Sequence, residues 1–146
     1  MVAYSFTPEE VSKQTEWKVP ALKTRIRAME IAAEMGWQIG WRIDPVIDCA
    51  NFKERYAGLF DSLIKNLPLE KLHSVSLGAF RMPSGFFKKM ERSYPEEPLF
   101  AGKLEKRGNM VAYQRSLEQE RLSICKSLLL ERIPGEKLFN CESPVV

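Results

Sequence analysis

Apolar and polar positions alternate from residue 2 to residue 6, the period of a half-buried strand, and Thr7-Pro8 followed by two glutamates marks a helix start. Leu22, Ile26, Met29 and Ala33 then recur at helical spacing, which predicts a helix over 21–35 that Gly36 ends. Residues 37–43 are rich in aromatic and β-branched types and read as a strand. It is expected to stop at Asp44-Pro45, because proline cannot donate to a central ladder. Asn51 and Glu54 have the spacing of a capping box, and Phe52, Tyr56, Leu59, Phe60 and Leu63 lay an apolar stripe along a second long helix ending near Asn66. Val75 and Leu77 alternate within a third strand over 73–78, and Pro83-Ser84 opens a helix running to about Arg92.

Strands separated by helices in this order imply parallel pairing, in an open doubly wound sheet or in part of a barrel. The rhythm breaks over about 94–113, where Pro95, Pro98, Gly102, Gly108 and Asn109 punctuate short runs at 103–107 and 110–113, the pattern of a β-hairpin or extended loop inserted between units. A helix over 116–132 and a short strand over 137–141 complete the chain.

Composition changes this picture little. With 146 residues, 45% hydrophobic and 28% charged, the chain suits one domain spanning 1–146 and has too much apolar content for disorder. No apolar run approaches the roughly 20 residues of a membrane span, and the acidic start MVAYSFTPEE is unlike a secretory signal, so a soluble cytoplasmic protein is expected. The net charge of +3 is a small excess of 22 basic over 19 acidic residues. Its basic stretches are Lys18, Lys23, Arg25 and Arg27, and Lys88, Lys89 and Arg92 with Lys103, Lys106 and Arg107. Solvated helix faces explain such runs more often than phosphate contacts do. Cys49, Cys125 and Cys141 match no zinc or redox spacing. Cys125, among Leu122, Leu128 and Leu129, suits a small buried hydrophobe.

Taken together, YSFTPEEV, TEWKVPALKTRIRAMEIAAEMGWQIGWRIDPVI and the ending LFNCESP resemble the C-terminal half of the spore photoproduct lyase-type radical S-adenosylmethionine enzymes, a DNA-repair family. The resemblance is most specific from Tyr4 to Ile47 and implies an α/β fold, half of a partial (β/α)6 TIM-type barrel carrying a hairpin insertion. Family members hold a 4Fe-4S iron-sulfur cluster on a C-x-x-x-C-x-x-C loop and use S-adenosylmethionine to form a 5′-deoxyadenosyl radical that opens a flipped thymine dimer. This sequence has no such loop, so the cluster is expected only with an N-terminal half, and no metal site is assigned here.

Barrel enzymes work at the C-terminal ends of their strands. There the resemblance places Ser5, whose hydroxyl matches a family serine contacting S-adenosylmethionine, with Leu77 and Gly78 expected beside the adenine; a strand-end serine capping a turn is the bland rival. Asp44 is expected to face the barrel mouth, toward a ribose or the lesion, or else simply to form a turn. Arg42 stands where relatives often have histidine and suits an anionic partner. Arg81 matches a family arginine near the DNA face, against a surface salt bridge as the alternative, and Lys103, Lys106 and Arg107 suit phosphate contact or an ordinary charged hairpin. Phe80 and Phe86-Phe87 are wedge or core, and Cys141 is expected to be exposed and modestly reactive without a catalytic role.

Two functions follow. One is a fragment or separately encoded half of a DNA-lesion lyase, inactive alone, with lesion-containing DNA and its missing half as partners. The other is a non-catalytic nucleic-acid or protein-interaction module. An unfinished barrel would also expose an apolar interior face and favour self-association.

Overall fold

The computed structural model describes residues 1–15 and 19–141; Glu16, Trp17 and Lys18 of the TEWKVP stretch and the final three residues of LFNCESP lie outside them. The chain order is β1 (Val2–Ser5), α1 (Glu9–Thr15), α2 (Leu22–Glu34), β2 (Ile39–Val46), α3 (Phe52–Asn66), β3 (Leu72–Ala79), β4 (Arg81–Pro83), α4 (Ser84–Ser93), β5 (Leu104–Arg107), β6 (Met110–Tyr113), α5 (Arg115–Leu130) and β7 (Leu138–Asn140). Strands β1, β2, β3 and β7 form, in that order, a four-stranded sheet in which every pair is parallel. A second, antiparallel sheet has the order β4-β6-β5. The expected alternation of strand and helix is present, and the hairpin turns at Gly108 with φ 57°. Among the described residues no helix is long and apolar enough to cross a membrane.

Three local expectations are corrected. Strand β2 does not stop at Asp44-Pro45 but runs on to Val46, because a register irregularity between Ile43 and Val46 places the proline where β3 asks for no donor. Asn51 forms no side-chain cap: it sits in the left-handed region at φ 54°, which asparagine tolerates better than most residues, and so turns the chain into α3 by its backbone. The three-residue β4 was not expected at all. It is too short to carry a pattern and exists through its pairing with β6.

The sheet alternation decides what lies where. Ile39, Trp41, Ile43, Val75 and Leu77 are buried against Met29 and Ala33 of α2, Tyr56, Phe60 and Leu63 of α3, and Cys125 and Leu129 of α5. The opposite parity carries Ala3 and Ser5, Gly40, Arg42 and Asp44, Ser74, Ser76 and Gly78, and this face is open to solvent at Ser5, Arg42 and Phe139. An exposed apolar interior face was therefore the wrong expectation. Apart from the exposed Phe139 of β7, the open face is polar and small-residue, because the greasy parity of β1, β2 and β3 is already taken up by the helices. Parallel sheets are ordinarily covered on both sides.

Candidate functional site

Strands β2 and β3 bring Asp44, Gly78 and Arg81 together. The Arg81 guanidinium grips the Asp44 carboxylate with both terminal nitrogens, at 3.2 and 3.3 Å, and also donates to the Ala79 carbonyl at 3.1 Å. Each partner is about a quarter exposed. Gly78 is what permits this: a Cβ there would lie 2.9 Å from the carboxylate carbon and from one of its oxygens. Gly78 thus admits the Asp44 side chain, and the space expected for adenine at that position holds a carboxylate instead. Arg81 behaves as the ion-pair alternative had it.

Ser5 and Arg42 are register partners across β1 and β2, and Arg42 is the partner of Ser76 across β2 and β3, so the three stand in one row on the open face. Among the described residues Arg42 has no ion-pair partner, which leaves an exposed cation beside two hydroxyls. Leu77 does not join them. Its side chain is 2% exposed and faces the helices, since neighbours along a strand point to opposite faces; it cannot share a pocket on the open face with Gly78.

The loop after β2 is pinned by groups that sequence patterning missed. The Ile47 N–H donates to the Tyr56 hydroxyl and the Asp48 N–H to the Tyr113 hydroxyl, each at 2.9 Å. Burial pushes the Tyr113 phenol up to about 12 and the Tyr56 phenol well above its ordinary range. Asp48 accepts from Arg121 Nε at 2.7 Å, and that guanidinium lies 5.0 Å over the Phe52 ring. Tyr56 was visible only as part of a helix stripe, and nothing local signals that Asp48 meets Arg121, 73 residues on.

On the hairpin, Arg107 is tied down by Glu105 at 2.8 Å, by Glu118 of α5 at 3.3 Å and by the Tyr113 carbonyl. It clips the hairpin to α5 and is not a free phosphate ligand. Lys103 and Lys106 are exposed. Lys106 and Arg81 border a groove of about 1020 Å³ between the hairpin and α5, to which α5 adds Arg115 and Lys126. Phe80 is buried against Tyr113 and Phe87 packs edge-on against Phe100, so neither is a free wedge; Phe86 is half exposed.

The three thiols are apart in role. Cys125 is fully buried and its thiol is pushed far up by that burial, Cys49 is raised for the same reason against the opposing pull of Arg55, and Cys141 is half-buried at the groove. Among the described residues no three His, Cys, Asp or Glu side chains gather to hold a metal.

No protein-family model and no curated protein matches the chain. Solved structures do. A spore photoproduct lyase mutant with bound AdoMet and dinucleoside spore photoproduct aligns at TM-score 0.79 and 19% identity, over 94% of this chain and 43% of that one. The fold is that of spore photoproduct lyase. A second mutant with the dinucleoside lesion gives TM-score 0.80 at 19% identity, and the enzyme complexed with it gives 0.78 at 18%, with the same coverage. The chain thus spans less than half the length of spore photoproduct lyase, consistent with its C-terminal half.

Proposed function

We propose that this chain is the C-terminal half of a radical S-adenosylmethionine DNA-lesion lyase, half of a partial (β/α)6 TIM-type barrel whose open sheet face forms part of the S-adenosylmethionine pocket. The observation that carries this is the open polar face itself, in a fold shared with lyase structures that hold AdoMet and a dinucleoside lesion. A parallel sheet with Ser5, Arg42 and Ser76 in a row on its open face suits a polar ligand under a covering layer. Ser5 offers a hydroxyl that both donates and accepts, and the unpaired Arg42 suits a carboxylate. Asp44, held in place by Arg81, keeps one fixed negative charge at the strand ends.

The residues present do not fit an iron-sulfur cluster. Cys125 lies on the helix side of the sheet, and Cys49 and Cys141 supply no three-thiolate loop. Electron supply and radical formation therefore belong to a segment carrying C-x-x-x-C-x-x-C, in the same polypeptide or another, and this chain's part is binding and orientation.

Co-expression with such a segment tests the proposal, with iron quantification and 5′-deoxyadenosine as readouts. Both are expected with the pair, and Ser5→Ala with Arg42→Ala should raise the S-adenosylmethionine requirement while leaving iron content unchanged. A pair that assembles yet yields neither iron nor 5′-deoxyadenosine overturns the enzyme reading.

A further inference from the structure

The groove between the hairpin and α5 is bordered by five basic side chains, Arg81, Lys106, Arg107, Arg115 and Lys126, against the two acidic ones Glu105 and Glu118. Arg107 is consumed by the two acids, Glu105 and Glu118, and Arg81 by Asp44. That leaves Lys106 on the hairpin and Arg115 and Lys126 on α5, all exposed and with no ion pair among the described residues. Unpaired cations facing one another across a cleft raise each other's energy and favour an anion between them.

The shape narrows the ligand. Arg115 and Lys126 lie on one face of α5, with Leu122 between them, and at ~1.5 Å rise per residue they stand roughly 16 Å apart. That length is several times the axial rise per nucleotide of a strand, roughly 3.4 Å, so the two cations reach different phosphates and not one small anion. The groove is open rather than closed, and at about 1020 Å³ it lies at the top of the range for small-ligand pockets. Its floor is closed by the buried Leu77, Ala79 and Ala112, and the half-buried Met110 and Leu122 supply the apolar surface against which bases can lie. Arg81 borders both this groove and the Asp44 pair, so the two regions are contiguous.

We propose that this groove is a binding track for a single DNA strand, with Lys106, Arg115 and Lys126 contacting separate phosphates along it. It would hold nucleotides flanking whatever base enters the sheet-face site. The choice of DNA rests on the proposed lyase function; the positive groove does not.

The test uses the whole chain alone and a fluorescent, undamaged oligothymidylate of about twelve nucleotides, within the usual site size for single strands. Fluorescence anisotropy across a salt series should show log affinity falling linearly with log salt. Replacing Lys106, Arg115 and Lys126 together by glutamine should flatten that slope by about 2 and weaken binding roughly 100-fold at 0.1 M salt, from a loss of ~0.7 per phosphate contact. The matched control is Lys23, Lys53 and Lys65 to glutamine, exposed on α2 and α3, which should change binding less than about threefold by long-range charge alone. Circular dichroism confirms that both variants fold. Equal losses in the two triple variants, no binding by the unaltered chain, or competition by a mononucleotide or polyglutamate as strong as by the oligonucleotide each overturn the track. Because the assay needs no iron and no turnover, its failure is separate from that of the lyase proposal.

Discussion

Replacing Gly78 by alanine probes the contact that organises the strand ends. The added methyl would sit 2.9 Å from the Asp44 carboxylate carbon, well inside contact distance, and the carboxylate is not free to swing because Arg81 holds both of its oxygens. Overpacking of this kind costs about 1–3 kcal/mol, while exchanging a strand glycine for alanine returns about 0.5–1 kcal/mol. The expected net loss is roughly 0.5–2 kcal/mol. In an Asp44→Ala background the obstruction is gone, so the same Gly78→Ala change should stabilise by about 0.5–1 kcal/mol. The sign inverts, and the coupling between the two positions should be about 1–3 kcal/mol, within the range seen for contacting residues. Urea unfolding of the four proteins, followed by tryptophan fluorescence with slopes compared to check that the transition is unchanged, measures this cycle. If Gly78→Ala is equally costly with and without the Asp44 carboxylate, the glycine serves something other than that close approach.

Other consequences are simpler. Tyr113→Phe removes the acceptor of the Asp48 N–H and should cost about 1–3 kcal/mol, read from the urea midpoint. Because the folded Tyr113 phenol is raised to about 12, it stays protonated where the unfolded one has ionised, so stability should fall as pH rises from 10 toward 12; that fall should be shallower in Tyr113→Phe. Arg107→Ala should release the hairpin from α5 and increase proteolytic nicking near Gly108 and Asn109 at a protease dose that spares the unaltered chain. Cys125 should resist iodoacetamide until the chain unfolds, as shown by mass mapping of labelled peptides, whereas labelling at the rate of Cys141 would contradict its burial.

Local pattern by itself determined most of the elements. Period and punctuation sufficed for α2 and its stop at Gly36, for the Ser84 start of α4, for the hairpin turning at Gly108 and for the β–α alternation, since each depends on residues within a few positions of one another. The polarity of the open face was also written in the alternation of Gly40, Arg42 and Asp44 with Trp41 and Ile43. The same alternation excludes Leu77 from the face that Gly78 occupies. What only the tertiary structure decided is non-local. The grip of Arg81 on Asp44 joins residues 37 positions apart, Arg121 meets Asp48 across 73, and the small strand β4 exists only because β6 lies beside it. Pairing energies of this kind depend on where two distant backbones are brought, and no periodicity within either segment encodes the distance between them.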